Sequence, residues 1–168
     1  MNFTMKRILL ISDTHSYIDN RILEYCKSCD EIWHAGDFGN AAVADALEKI
    51  KPLKGVYGNI DGQDIRKRFP ETLRFMCEEV DVMMTHIAGR PEKYVAPVKA
   101  IMKINPPKIF ICGHSHMLLV KYSKEYNCLH LNPGAAGISG FHRKRTMLRF
   151  TIDGKDIRDM EVIELGNR

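Results

Sequence analysis

Short apolar runs that end abruptly in polar clusters are the feature that most constrains the fold of this chain. Residues 8–11 are followed by Ser-Asp-Thr-His, residues 31–34 by Ala-Gly-Asp, and residues 53–57 by Gly-Asn-Ile-Asp. Each run has the length and apolar content of a buried strand. Because polar loops and segments with helical spacing connect them, they predict a parallel, right-handed α/β sheet.

Two apolar stripes between these runs predict crossover helices. The first stripe consists of Ile18, Ile22 and Cys26, and the second of Val43, Leu47 and Ile50. Asn40 is placed to cap the second helix, and Pro52 is placed to stop it.

The rest of the chain is mostly typical of antiparallel β-structure. The predicted pairs are 72–77 with 80–85, 118–122 with 128–131, and 147–152 with 157–163, the last around an Asp-Gly turn. A helix over 97–104 precedes a buried strand over 109–112. A second sheet must pack on the first, so we expect a single domain over residues 1–168. Its fold class is α/β, as a four-layer α/β/β/α sandwich of two mixed sheets flanked by helices.

The buried strand over 109–112 ends in Gly113, and His114 and His116 follow it. At the carboxyl end of a strand, a His-x-His segment can direct both imidazoles into one crevice. Neutral imidazole is the commonest protein ligand for transition metals. The motif alone is weak, because His-x-His also occurs on exposed strands.

Bulk properties narrow the classes of partner. The formal net charge of +4 suits an anionic substrate but is too small to predict nucleic acid as the main partner. The apolar run at 8–11 is too short for a signal peptide or a membrane span. Five cysteines are an odd number for a disulfide framework, and we interpret the CxxC at Cys26 and Cys29 as structural. We therefore expect a cytoplasmic protein without a membrane partner, and a homo-oligomer is possible.

Five strand ends deliver residues of the types that bind metals. The candidates are Asp13, His15, Asp37, Asn59, His86, His114 and His116. This mixture of imidazole, carboxylate and amide oxygen suits manganese, iron, nickel or zinc better than calcium or magnesium. Seven ligands are too many for one ion but fit two ions that share a carboxylate.

Each motif in isolation has a structural alternative. Asp13 can form an Asx turn, Asp37 can cap the next helix, and Asn59 can supply positive φ in a turn. His86 can be a hydrogen-bonded core histidine. Their recurrence at five strand ends, in order along the chain, favours the metal site.

These motifs resemble the ordered signature of the calcineurin-like metallophosphoesterases, which is D-x-H, G-D, G-N-x-[DE], H and G-H-x-H. Here it stands as Asp13-Thr-His15, Gly36-Asp37, Gly58-Asn-Ile-Asp61, His86 and Gly113-His-Ser-His116, followed by Asn132-Pro-Gly134. The similarity covers nearly the whole chain. Its length is similar to the small, cap-less phosphodiesterase branch of bacteria and archaea.

The resemblance implies a role for each ligand. Asp13, His15 and His116 would bind the first metal, and Asn59, His86 and His114 the second, with Asp37 as the bridge. Asp37, Asn59 and His86 would serve catalysis through the metal-bridging hydroxide. We expect two divalent ions, with manganese favoured over iron, zinc or nickel, and a small phosphate ester or phosphodiester as substrate.

Two residues depart from the family pattern. Ile87 follows His86 where a glycine is usual, so we expect altered loop geometry with an intact ligand. Ile60 occupies the position at which larger relatives carry the histidine thought to protonate the leaving group. The alternative to a phosphodiesterase is a non-catalytic scaffold for protein interaction, because the resemblance extends to a retromer subunit of this fold.

Three further residues and one basic run have less specific interpretations. Asp61 is expected to support a nearby backbone or ligand. His34 is either an orienting residue or a strand histidine, and His130 is expected to serve packing. The basic run from His142 to Arg145 could attract phosphate near the site, but a solvated loop is the favoured interpretation.

Overall fold

A computed structural model describes residues 5–168, and its core is a pair of five-stranded mixed sheets. Strands and helices are numbered along the chain. The first sheet has the spatial order β12 (Asp156–Asn167), β11 (Lys144–Asp153), β1 (Lys6–Ile11), β2 (Glu31–His34) and β3 (Leu53–Gly55). Strands β1, β2 and β3 are parallel, as the sequence predicts. The β11–β12 hairpin joins them through an antiparallel β1–β11 pair.

The second sheet is built from the middle of the chain. Its order is β4 (Thr72–Cys77), β5 (Val80–Thr85), β8 (Ile109–Ile111), β10 (Cys128–Pro133) and β9 (Leu118–Ser123). β8 lies parallel between β5 and β10, whereas β4 and β9 form antiparallel edges. The predicted hairpin β4–β5 is confirmed with its bounds unchanged.

In the described part of the chain, four helices and a small hairpin complete the fold. The helices are α1 (Asn20–Lys27), α2 (Ala41–Glu48), α3 (Gln63–Arg66) and α4 (Ala96–Ile104), and the hairpin is β6 (Gly89–Arg90) with β7 (Lys93–Tyr94). Within residues 5–168, no helix combines the length and apolar character needed to cross a membrane.

Three apolar clusters hold the layers together and confirm the predicted α/β/β/α sandwich. Helices α1 and α2 pack through Ile22 and Leu47 on the outer face of the first sheet. The two sheets share a core around Trp33, and α4 packs through Val98 and Met102 on the outer face of the second sheet. Alternate residues of β1 point into different clusters, which explains its unbroken apolar sequence.

Element ends differ from the predictions where local hydrogen bonds decide them. α1 begins after Asp19, whose carboxylate accepts a hydrogen bond from the Ile22 N–H at 2.9 Å, so Ile18 lies outside the helix. Asn40 occupies the N-cap position of α2 without a side-chain capping bond, and Ile50 lies beyond the end of that helix. No element is predicted over residues 89–94, where the structure forms the β6–β7 hairpin, because two-residue strands are too short to show a period.

The cysteines have the properties expected of reduced thiols with a structural role. All five are buried free thiols. Burial raises the pKa of Cys26 to about 12 and that of Cys29 to about 11. Neither thiol is therefore an ionised nucleophile near neutral pH.

One ionic network joins the three parallel strands that deliver the candidate site. Glu31 of β2 is almost fully buried and contacts Lys6 of β1, Lys54 of β3 and the indole N–H of Trp33. Burial opposes ionisation of Glu31, but the hydrogen bonds from Lys54, Lys6 and Trp33 outweigh it and lower its pKa to about 2. The network therefore requires an ionised Glu31.

We predict that Glu31→Gln lowers the free energy of unfolding by about 1–3 kcal/mol at pH 7, because it removes charged hydrogen bonds from a buried site. The folded pKa lies below the unfolded value, so this stabilisation is present above about pH 4.3. It declines as the pH falls toward the folded value of about 2. Urea unfolding of both proteins between pH 3 and 7 measures the difference.

Glu164→Gln is the matched control, since Glu164 forms only an exposed ion pair with Lys144. A Glu31→Gln difference that stayed constant with pH, or matched this control, would contradict the prediction.

Candidate metal centre

The seven candidate residues lie together at the carboxyl edge of the strands. Asp13 and His15 follow β1, Asp37 follows β2, Asn59 follows β3, His86 follows β5, and His114 and His116 follow β8. Three loops of the first sheet therefore face two loops of the second across the inter-sheet core. Rigid strands set the position of every candidate.

Six of these residues form two groups, each able to hold a metal ion. Asp13, His15 and His116 form the first group, and Asp37, His86 and His114 form the second. Within each group, one donor atom from every residue lies within 4.8 Å of the others. The grouping arises from the fold, because each group takes residues from both sheets.

Asp37 lies between the two groups. Its Oδ2 is 3.2 Å from Nε2 of His86 and 3.5 Å from Nε2 of His15. Asn59 adjoins the second group, with Oδ1 2.9 Å from Nδ1 of His114. The geometry thus brings all seven candidates into one cluster.

The hydrogen bonds of His86 determine which ring nitrogen is free. Its Nδ1 lies 2.7 Å from the carbonyl oxygen of Ala35, which can only accept, so Nδ1 carries the proton. In the neutral ring, Nε2 then presents a lone pair to the Asp37 carboxylate. Two electron-rich atoms face each other there, and a cation between them removes the repulsion.

His116 has the same arrangement through His142. Nε2 of His142 lies 2.9 Å from the carbonyl oxygen of Gly137, so it donates its proton there. Nδ1 of His142, 3.2 Å from Nδ1 of His116, is then the acceptor for the proton of that ring. Nε2 of neutral His116 is left unprotonated, 3.2 Å from both Asp13 Oδ1 and His15 Nε2.

Two buried polar atoms in the described chain test whether this donor set fits metal ions. Asp13 Oδ1 and His86 Nε2 are buried and have no hydrogen-bond partner among residues 5–168. One belongs to the first group and one to the second. Orphaned buried atoms of this kind are rare and costly. Their distribution fits one cation in each group.

Without metal, the charges of the second group adjust to one another. Burial lowers the pKa of His86, but the Asp37 and Asp13 carboxylates outweigh it and place the pKa above its ordinary value. Burial raises the pKa of Asp37, but His86 and the Ile60 N–H outweigh it and place that pKa below its ordinary value. A proton on His86 thus partly replaces a bound cation.

The backbone holds most of the candidate ligands in an unusual conformation. Five of the seven candidates have positive φ, namely Asp13 at 53°, His15 at 47°, Asp37 at 58°, His114 at 67° and His116 at 58°. Asp and His are enriched among the non-glycine residues that tolerate this region. Such residues cluster at functional sites, where the surrounding fold compensates for their strain.

Two glycines of the motifs leave space for ligand side chains. A Cβ on Gly58 would lie 2.0 Å from Oδ1 of Asp37. A Cβ on Gly113 would lie 2.2 Å from Ser12 Oγ and 2.9 Å from Oδ2 of Asp13. The Gly-Asn and Gly-His pairs of the sequence therefore reflect close packing against the carboxylates.

Asp61 supports the backbone, as the sequence predicts. Its carboxylate accepts hydrogen bonds from the N–H groups of Gly58 and Gly39 at 2.7 and 2.8 Å. His34 is fully buried, and burial lowers its pKa to about 3. It accepts a hydrogen bond from the Gly36 N–H and contacts Thr14, so it braces the loops after β1 and β2.

The support that His142 gives to His116 was not predicted, and the prediction of a solvated side chain at Arg145 is wrong. His142 lies in a basic run that looked solvated, yet it contacts His116. Arg145 of the same run is buried and pairs with Asp19 at 2.9 Å. The contact of Ser12 was also not predicted: its hydroxyl donates a hydrogen bond to Oδ2 of Asp13 at 2.7 Å.

A small cleft of about 200 Å³ opens onto the cluster. Ile60, Gly140 and Phe141 line it together with His15, Asp37 and other candidate ligands. Phe141 is fully exposed and Ile60 is 46% exposed. The cleft is therefore open to solvent and has an apolar rim.

Comparison with known proteins assigns the family. The model of the calcineurin-like phosphoesterase superfamily domain matches residues 5–155. The chain belongs to this superfamily. It is 25% identical over 162 residues to a probable metallophosphoesterase of Methanothermobacter thermautotrophicus, with 94% of this chain and 91% of the relative covered.

Solved structures share the fold. An archaeal phosphodiesterase superposes with a TM-score of 0.72 at 20% identity, covering 94% of this chain and 99% of that chain. Vps29 of Entamoeba histolytica, complexed with zinc, superposes with a TM-score of 0.69 at 16% identity, covering 94% of this chain and 98% of that one. These similarities define the architecture of this chain.

We predict that His142→Phe weakens divalent-metal binding at the first group by about 10–100-fold, because Phe offers no acceptor for the Nδ1 proton of His116. His142→Gln, which retains an acceptor, should recover part of that affinity. Calorimetric titration of the metal-free proteins with Mn²⁺ measures both. Wild-type affinity in His142→Phe would contradict a positioning role, and equal losses in both variants would indicate packing alone.

Proposed function

We propose that this protein is a divalent-metal-dependent phosphodiesterase that uses two ions. The observation that carries the proposal is the pair of donor groups joined by Asp37, with one unsatisfied buried atom in each. Membership of the calcineurin-like phosphoesterase superfamily supports the reaction class. An archaeal phosphodiesterase of the same fold supports the choice of a diester.

The residues fit particular ions. Asp13, His15 and His116 would hold the first ion, and Asn59, His86 and His114 the second, with Asp37 shared. Imidazole and carboxylate donors together suit manganese, iron, nickel or zinc, and we favour manganese. When bound, such ions polarise phosphoryl oxygens and lower the pKa of metal-bound water to near neutrality.

The chain's own residues would organise the reaction. Asp37 would be shared by the two ions, and its Oδ1 accepts a hydrogen bond from the Ile60 N–H at 3.1 Å. The Ala35 and His142 contacts keep the free nitrogens of His86 and His116 directed into the cluster. Preorganised donors of this kind need no rearrangement during the reaction.

Ile60 limits the substrates. It lines the cleft and has no proton to donate, so the side chain at this position cannot assist departure of a basic alkoxide. Diesters with acidic leaving groups, such as aryl esters, should therefore react best.

A scaffold without catalysis is the second candidate function. Ile60 and Phe141 are exposed apolar side chains that line the cleft, and the exposed Ile87 and Met117 directly follow His86 and His116 in the chain. Exposed apolar patches often mark protein contacts, and the likeness to Vps29 is compatible with this role. A scaffold would not turn over phosphodiesters at any metal loading.

We predict that chelation abolishes hydrolysis of bis(p-nitrophenyl) phosphate and that Mn²⁺ restores it, because every proposed catalytic group acts through bound metal. Release of p-nitrophenolate measures the rate, and elemental analysis verifies metal removal. Full activity in a verified metal-free sample would refute the metal mechanism, and no activity with any divalent metal would favour the scaffold.

Asp13→Asn and Asp156→Asn form the matched pair of variants. Asp13 is buried in the first donor group, whereas Asp156 is exposed at the start of β12. The first substitution should reduce hydrolysis to background, and the second should leave it unchanged.

A further inference from the structure

A second cavity, of about 410 Å³, adjoins the metal centre. It shares Gly113, His114 and Ser115 with the loop that delivers candidate ligands. His114 lines both this cavity and the smaller cleft, so the two spaces meet at a metal ligand. A cavity of this size lies within the range of small-molecule sites.

The walls of the cavity are mostly apolar. Ala88, Met117, Leu118 and Leu119 line it. Met117 is 71% exposed and Leu118 is 40% exposed, so apolar side-chain surface at the cavity is in contact with water. An aromatic or alkyl group bound there would remove this apolar surface from water.

A buried polar network forms the floor and fixes its shape. His130 lies 2.9 Å from the Tyr94 hydroxyl through Nδ1 and 3.2 Å from Cys112 Sγ through Nε2. Asn132 donates to the Gly113 carbonyl at 3.0 Å and to Ser115 Oγ at 3.1 Å. Both residues are buried, and their contacts tie the floor directly to the ligand loop.

The β6–β7 hairpin overhangs the cavity and is anchored at both ends. The Tyr94 ring stacks on His130 with centroids 5.6 Å apart, and Glu92 at the turn pairs with Lys121 of β9. Positive φ of 73° at Glu92, after Pro91, closes a tight turn. The hairpin therefore holds a defined position over the cavity.

Two cations stand at the lip of the cavity. Arg90 and Lys93 are directly paired across the hairpin, are exposed, and line the cavity. Within residues 5–168, neither forms an ion pair with a carboxylate, while Glu92 between them is paired with Lys121. The lip is therefore positive, and an anionic group could bind both cations.

We propose that this cavity is a substrate subsite that binds an aromatic, nucleobase-sized arm of a phosphodiester, with Arg90 and Lys93 binding a second phosphate on that arm. The apolar walls receive the ring, and the shared His114 loop places the scissile phosphate at the metal centre. The inference rests on the proposed function and specifies its substrate class.

Binding of three phosphates to the manganese-loaded protein tests the subsite. Methyl phosphate probes the metal centre alone, thymidine 5′-monophosphate adds the ring, and thymidine 3′,5′-bisphosphate adds the second phosphate. We expect the affinity to rise by about tenfold or more at each step, as apolar and charged contacts are gained. Isothermal titration calorimetry measures the dissociation constants.

Variants separate the two parts of the subsite. Arg90→Ala with Lys93→Ala should remove the gain from the second phosphate and retain the gain from the ring. Leu119→Trp should fill the cavity and remove the gain from the ring, with unchanged metal content as the check on folding. Lys155→Ala, which removes an exposed cation in the turn between β11 and β12, is the matched control and should retain both gains.

The outcomes distinguish this inference from the proposed function. Equal affinities for the three phosphates, or a gain from the second phosphate that survives in the Arg90/Lys93 variant, would overturn the subsite even if aryl diesters are hydrolysed. The expected series of affinities in a protein that hydrolyses no phosphodiester would support the subsite and refute the phosphodiesterase.

Discussion

The candidate site is defined by electron-rich atoms that the fold places face to face at the carboxyl edge of two sheets. Nε2 of His86 points at the Asp37 carboxylate, and Nε2 of His116 points at Asp13 and His15. Carbonyl oxygens fix the tautomers directly at His86 and through His142 at His116. A protein interior does not tolerate such contacts without a cation or a proton between the atoms. That electrostatic constraint favours a site that binds cations.

The rest of the fold keeps these atoms in place. The ligand loops adopt positive φ, and glycines leave the space that the carboxylates occupy. Buried Glu31 joins the three parallel strands that lead to the cluster. Asn132 extends the same support to the His114 loop and forms the floor of the neighbouring cavity. The site and the cavity are thus parts of one rigid framework.

Strands that carry the ligands were predictable because burial on both faces gives unbroken apolar runs with abrupt polar ends. The meeting of Asp13, Asp37 and Asn59 at one edge followed from parallel topology. The role of His142 was not predictable, because its contact with His116 spans 26 residues and lies in a run of charges. The β6–β7 hairpin was missed for a different reason, since two-residue strands carry no period. The cavity beneath it could emerge only from tertiary structure.

A crystal structure of the manganese-loaded protein, with anomalous scattering recorded at the manganese edge, tests the central claim most directly. We expect two anomalous peaks per chain, roughly 3.5–4 Å apart. One should contact Asp13, His15 and His116, the other Asn59, His86 and His114, and both should contact Asp37. A single peak, or none, at saturating manganese would contradict it.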